Sequence, residues 1–205
     1  MLEEIGDIVV IGLKARKDRW NRCQEIFEQN GIERVTYFRT EKDEKNTHRN
    51  YMNDFKHMLE IKKWNNENLV FFEDDFEFVD GWQEGLKKAW NELPKDFDIL
   101  YLGCNPTRAL VKQSDNLVRV KGAWLMHATI LSRKFIEFIL KEYDYYQVAI
   151  IDEWYRRIAC DRKFYMTWPM ISYQRVDYSD FLGTETDYNI FNNKFVKYYE
   201  DSCTS

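Results

Sequence analysis

The stretch Leu69-Val70-Phe71-Phe72-Glu73-Asp74-Asp75-Phe76-Glu77-Phe78 decides how this chain is read. Four apolar residues run straight into three carboxylates. A short continuous apolar run rich in Val and Phe suits a strand covered on both faces. The acids then stand at its C-terminal edge, where open α/β sheets bind their ligands. Strand side chains alternate, which predicts Glu73, Asp75 and Glu77 on one face and Asp74 on the other. Adjacent carboxylates repel each other unless something positive sits between them. A hard divalent cation with oxygen ligands is the natural partner. An acidic loop closing a buried strand has the same appearance.

Working outward, the segments on either side alternate between strand and helix patterns. Asp7-Ile8-Val9-Val10-Ile11-Gly12-Leu13 reads as a first buried strand that breaks into Lys14-Ala15-Arg16-Lys17-Asp18-Arg19. Trp20, Cys23, Ile26 and Phe27 recur at helical spacing, and Gly31 supplies a stop. Strand, basic loop and helix open many nucleotide-binding folds, and the loop's cations suit a diphosphate or its nucleotide. A solvated helix start would carry the same charges. Val35 to Arg39 reads as a second strand, and Tyr51, Met52, Phe55, Met58 and Leu59 as the apolar stripe of a helix ending near Trp64, with His57 close by. Beyond the acids, Asp80-Gly81-Trp82-Gln83 resembles a capping box with Asp80 as N-cap, and Pro94 ends that helix.

Strands are expected at Asp98–Leu102, Leu117–Lys121, Ala123–Leu131 and Phe164–Pro169, with Ser132 capping the helix between the last two. His127 sits in the third of these strands. Ile150-Ile151 leads into Asp152-Glu153, a second place where acids follow apolar residues; the helix macrodipole alone would also favour acids there. The sum is one α/β domain with a mostly parallel sheet over residues 1–173. Residues 174–205 read as a tail that packs on or over the site.

Composition removes several classes. The 205 residues, 44% of them hydrophobic, suffice for one sizeable domain. A net charge of -5 argues against non-specific nucleic-acid binding. Cys23, Cys104, Cys160 and Cys203 form no Cys-x-x-Cys pair, which argues against a zinc site and a disulfide framework. Neither an N-terminal apolar segment nor a run near the ~20 residues of a membrane span is found, so a cytoplasmic setting is expected. Gly-x-Gly-x-x-Gly, Gly-x-x-x-x-Gly-Lys, His-Glu-x-x-His and Gly-x-Ser-x-Gly are all absent, so the dehydrogenase, P-loop, zincin and α/β-hydrolase readings lose their anchors.

Taken in order, the segments resemble glycosyltransferase family 25, the group of lipopolysaccharide and collagen galactosyltransferases. Ile11 to Trp20 resembles the family's Asn-Leu-x-x-Arg-x-x-Arg start, with Gly12 where the family has Asn. Lys56-His57 resembles a Ser-His segment with Lys in the Ser place, and Phe72-Glu73-Asp74-Asp75 resembles the Glu-Asp-Asp motif, a DxD-like site. His127-Ala128-Thr129-Ile130-Leu131-Ser132-Arg133 is similar to His-Ala-Tyr-x-x-Ser-Arg, with Thr129 in the Tyr place; Asp152 and Pro169 also find counterparts. The agreement covers roughly Asp7 to Pro169.

The resemblance implies a GT-A fold, Rossmann-like, with a mostly parallel mixed sheet flanked by helices. It implies a metal-dependent hexosyltransferase with a nucleotide-diphosphate sugar donor, UDP-sugar first, a glycan or glycoconjugate acceptor, and Mn²⁺ or Mg²⁺. Asp75 is then the first candidate metal ligand, with Glu73 beside it. Leu13, Arg16, Arg19, Glu73, Asp74 and His127 are the candidates for holding the donor. Asp152, with Glu153 second, is the candidate base of an inverting transfer, a role that typically contributes about 10²–10⁴-fold. A retaining enzyme of a neighbouring GT-A family, a nucleotidyltransferase and a non-catalytic sugar-binding module remain as alternatives. A nucleotidyltransferase would want a Gly-rich phosphate loop after the first strand, and Leu13 to Arg19 contains no Gly.

Overall fold

A computed structural model describes residues 1–42, 47–61, 66–146, 150–180 and 182–188, of which 47–50, 61 and 144–146 are described in backbone only. Its first half runs α1 (Leu2–Ile5), β1 (Asp7–Leu13), α2 (Lys17–Gln29), β2 (Val35–Thr40), α3 (Thr47–Ile61), β3 (Asn68–Glu73), β4 (Phe76–Phe78), α4 (Trp82–Glu92) and β5 (Ile99–Pro106). There follow β6 (Val111–Lys112), β7 (Leu117–Arg119), β8 (Ala123–Ser132), α5 (Arg133–Tyr146), α6 (Ile151–Ile158) and β9 (Phe164–Thr167). Three short strands finish the described chain: β10 (Ser172–Gln174), β11 (Asp177–Ser179) and β12 (Thr184–Thr186).

The central sheet has eight strands in the order β2-β1-β3-β8-β5-β9-β7-β6. Six of them run the same way; β8 and β7 are reversed, each antiparallel to both neighbours. The fold is thus mixed α/β, with helices on both faces. The apolar run at Leu69–Phe72 explains the layering, because its alternate residues feed two different cores. Leu69 and Phe71 join Val9, Ile11, Phe55, Phe135 and Tyr155 on the side of α3, α5 and α6. Val70 and Phe72 join Ile8, Val10, Trp20, Phe27 and Leu86 on the side of α2 and α4. Burying each such side chain stabilises the fold by roughly 1.5–3 kcal/mol, which is why no polar residue interrupts this strand.

The helix termini separate what local patterns dictate from what they do not. Gly31 takes φ 64 after α2, and Ile32 N–H returns to Phe27 O at 2.9 Å, so the glycine stops the helix as expected. Ser132 Oγ accepts from Phe135 N–H at 3.4 Å at the start of α5. At α4 the expectation fails. The N-cap is Gly81 with φ 74, and no side chain caps the helix. Gln83 and the Trp82 indole instead donate to Asn30 Oδ1, at 3.0 and 2.8 Å, so the capping box at Asp80 is not formed. Among the described residues no helix is long and apolar enough to cross a membrane. Cys203 lies outside the described residues.

Candidate functional site

β1 lies between β2 and β3. The chain therefore leaves β1 toward one side through α2 and returns to the other side through α3. This reversal of direction opens a crevice at the carboxyl ends of the strands, the place where open α/β sheets take ligands. A cavity of ≈ 280 Å³ fills it. Gly12 and Leu13 come from the end of β1, Thr40 from β2, Tyr51 from α3 and Glu73-Asp74-Asp75 from the end of β3. Leu125 of β8, Ile150 and Asp152 at the start of α6, and Gln174, Ser179, Asp180, Leu182 and Tyr188 also line it, together with the cations Arg19 and Lys42. Of the segment after β9, Gln174, Ser179, Asp180, Leu182 and Tyr188 thus line the cavity; residues 181 and 189–205 lie outside the described chain.

The acidic stretch does not continue as one strand. β3 stops at Glu73, a turn takes Asp74 and Asp75, and Phe76 begins β4, which pairs antiparallel with β10. The simple alternation of Glu73, Asp75 and Glu77 is thereby lost. Arg19 Nη1 donates to Asp74 Oδ1 at 2.8 Å and to Asp75 Oδ2 at 2.9 Å, so the two aspartates meet at one guanidinium. Asp75 Oδ2 also accepts from Gln174 Nε2 at 2.9 Å, while Asp75 Oδ1 is buried without a hydrogen-bond partner. Glu73 Oε1 accepts the Tyr51 hydroxyl at 2.6 Å. Glu77 turns away to Arg22, at 2.8 Å twice, and to Arg175 at 3.2 Å. Gly12 makes the arrangement fit: a Cβ there would stand 2.0 Å from Asp74 Oδ2.

Electrostatically the corner carries more negative charge than it neutralises. Burial, then the charges of Asp75 and Asp152, hold the Glu73 carboxyl well above the usual carboxylate range. Burial and Asp75 raise Asp74 to about 7 despite Arg19. Burial opposes the charge on Arg19, but Asp75 and Asp74 outweigh it.

Asp152 and Glu153 part company at the first turn of α6. Asp152 faces the cavity and accepts from Leu125 N–H at 3.1 Å, and burial raises its carboxyl to about 6. Glu153 lies off the cavity wall, bonded to Arg156 at 2.6 and 2.7 Å and to Arg157 at 3.0 Å; the two guanidiniums hold it down at about 2. Leu125, the partner of Asp152, has φ 70, a backbone region that a branched side chain enters only against strain.

The remaining candidates also divide. Leu13 lines the cavity, and its carbonyl accepts the Trp20 indole N–H at 2.8 Å. Arg16 stands outside the wall, tied to Asp18 at 2.9 Å, Asp177 at 3.0 Å and Asp180 at 2.7 Å. Arg19 shares Asp177, at 3.1 Å. His127 is 1% exposed behind the wall, and burial lowers its imidazole to about 4, so it is neutral and away from the cavity. His57 is exposed, its ring 6.3 Å from that of Phe38. Tyr51, Leu125, Gln174, Asp177 and Asp180 were not foreseen. Tyr51 is indistinguishable from its neighbours in an apolar stripe, and the others lie far from the acids in sequence.

Among the described residues no three His, Cys, Asp or Glu side chains form a cluster that could hold a metal ion. A dedicated cage is not what Mg²⁺ and related cations need beside a diphosphate, where one or two carboxylates suffice and phosphate and water complete the shell. Glu73 and Asp75 supply hard oxygens on the cavity wall, and Asp75 Oδ1 is left without a hydrogen-bond partner, so the chemistry of the donor set fits a divalent cation.

No family model matches this chain, and no curated protein does. Two solved structures of similar shape are 4-diphosphocytidyl-2C-methyl-D-erythritol synthase from Anaerococcus prevotii and a mutant of Drosophila β-1,4-galactosyltransferase 7 in complex with manganese, UDP-Gal and xylobiose. The first is 15% identical with a TM-score of 0.49, covering 88% of this chain and 77% of that one. The second is 8% identical with a TM-score of 0.46, covering 95% of this chain and 81% of that one. At this level of likeness neither assigns a family or an activity.

Proposed function

We propose that this chain is a metal-dependent glycosyltransferase of the GT-A type, moving a hexose from a nucleotide-diphosphate sugar, UDP-sugar first, to a hydroxyl of a glycan or glycoconjugate. One observation carries the reading: Glu73, Asp74, Asp75 and Asp152 converge on one cavity at the strand-order switch point, and among the described residues Arg19 alone forms an ion pair with any of them. Such an excess of buried negative charge costs stability and calls for a cationic ligand. Glu73 and Asp75 would hold a divalent cation, whose charge would offset that growing on the leaving nucleotide.

The chain's own groups take the other roles. Asp74, fixed by Arg19, holds the donor sugar. Leu13 and the end of β1 pack against the nucleotide, and Arg19 stands beside the phosphates. Asp152 takes the proton of the acceptor hydroxyl. Its carboxyl, raised to about 6, is closer in basicity to neutral pH than an ordinary aspartate, which is what general-base catalysis favours. The Leu125 N–H holds one oxygen of Asp152 and leaves the other for the acceptor.

The test is a screen of UDP-, GDP-, ADP- and CMP-sugars for binding and slow hydrolysis, with Mn²⁺ and with EDTA. One donor is expected to bind and release nucleotide only with the cation, and Asp75→Asn abolishes the release. Full release by Asp75→Asn would sink the metal assignment, and no binding of any donor would sink the transferase reading.

A further inference from the structure

We infer that the cavity rim beside Asp152 is the acceptor platform: the Trp124 indole takes the apolar face of a pyranose ring while a hydroxyl of that ring meets the Asp152 carboxylate. This rests on the transferase reading and adds the chemistry of the acceptor to it.

Tryptophan is highly buried on average. Trp20, Trp82 and Trp154 follow that rule at 3%, 4% and 5% exposure, whereas Trp124 is 48% exposed, the one exposed tryptophan among the described residues. Its place in the sheet is specific. The β3–β8 ladder ends at Phe72↔Ala128, while β5 continues to pair with β8 as far as Asn105↔Trp124 and Pro106↔Ala123. Residues 123–127 therefore project past the end of β3, on the side where the Asp74-Asp75 turn lies. The peptide that joins Trp124 to Leu125 is the group that donates to Asp152 at 3.1 Å. The indole and the proposed base are thus held by one peptide plane, next to the left-handed Leu125. A strained residue persists where its surroundings over-determine it, and such positions cluster at ligand sites.

Trp124 stands just outside the wall, next in the chain to Leu125, which lines it, and the wall there agrees in character. Ile150 and Leu182, 45% and 61% exposed, line the cavity beside Leu125. An exposed apolar edge above a carboxylate matches a molecule with one C–H face and one hydroxyl edge, which is the form of a pyranose. Aromatic side chains are suited to such amphipathic partners. A lipid tail would find the carboxylates at its end uncompensated.

The experiment compares wild type with Trp124→Ala and Trp124→Phe. A panel of methyl pyranosides is offered as acceptors to the donor found in the screen, and saturation-transfer NMR reads the glycosides directly. Nucleotide release without glycoside is the second readout. Trp124→Ala is expected to raise the glycoside KM about tenfold, a loss of one stacked ring, with most of it restored in Trp124→Phe. Release without glycoside stays within about twofold of wild type. An unchanged glycoside KM in Trp124→Ala, saturation transfer equal to wild type, or acceptance of a peptide or detergent micelle in place of every glycoside would overturn the platform. Saturation transfer needs no turnover, so it still reads the platform in a protein that releases no nucleotide, which separates this failure from that of the transferase reading.

Discussion

Asp152 and Glu153 are neighbours in the chain, and the fold treats them in opposite ways. One is held near 6 on the cavity wall by burial, with a single backbone N–H against it; the other is held near 2 at the surface by two arginines. The turn after β3 repeats the contrast. Asp74 and Asp75 share Arg19, while Glu77, two residues on, has both Arg22 and Arg175. Glu153 and Glu77 are each matched with two cations; among the described residues Asp152 has none, and Asp74 and Asp75 share one. The shortage, more than the acids themselves, is what distinguishes a binding site from an ion-pair network.

The sharpest way to break this contrast is to neutralise each member of the Asp152–Glu153 pair. Asp152→Asn is expected to lower sugar transfer by about 10²–10⁴-fold while donor binding persists. Glu153→Gln should stay within about twofold, since it loses only two ion pairs off the cavity wall. Equal losses in steady-state transfer would erase the distinction. A second substitution tests the crowding at Asp74. In Gly12→Ala the new methyl meets Asp74 Oδ2, so Asp74 must leave its bond to Arg19, at a cost of about 1–3 kcal/mol in denaturant unfolding and with weaker donor binding. A variant as stable as wild type would mean that Asp74 is not fixed there.

The smallest effect is on stability against pH. Glu73, Asp74 and Asp152 hold their protons to higher pH in the folded chain than in the unfolded one. The folded state then binds more protons, and stability falls as pH rises through that window. His127, lowered to about 4, acts in the opposite sense, but only below the ordinary histidine value of 6.5. Between about pH 6.5 and about pH 8 the acids dominate, and the thermal midpoint should drop by a few degrees. Added Mn²⁺ should remove the drop, because a seated cation favours the ionised carboxylates. A midpoint that rises across this interval without cation would mean the cavity acids are already matched.

How much of this was legible in the sequence follows from the range of the interactions. The buried strand was legible because Leu69 to Phe72 feed both cores without a polar break, and the acids mark the edge of that run. Where the chain turns was not. Phe76 and Phe78 look like a continuation of the same strand, yet they start a new one whose partner is Ser172 to Gln174. Arg19 could be named as a cation near the site, but not as the partner of acids more than fifty residues away, since local spacing holds no trace of such pairing. Asp80 failed as a cap because Gly81, free to take φ 74, starts the helix one residue later. The weakly periodic segment after Gln174 gave no sign that Asp177 and Asp180 reach back to Arg16 and Arg19.

That last contact changes what affinity means at the site. The guanidinium of Arg16 is already bonded to Asp18, Asp177 and Asp180, and that of Arg19 to Asp74, Asp75 and Asp177. An anion arriving there does not fill a vacancy; it displaces carboxylates of the chain itself. Association becomes an ion exchange, whose free energy is the difference between two sets of charge-assisted hydrogen bonds rather than the strength of either. Such an exchange is selective without being tight: it admits an anion that outbids an aspartate and ignores one that merely equals it.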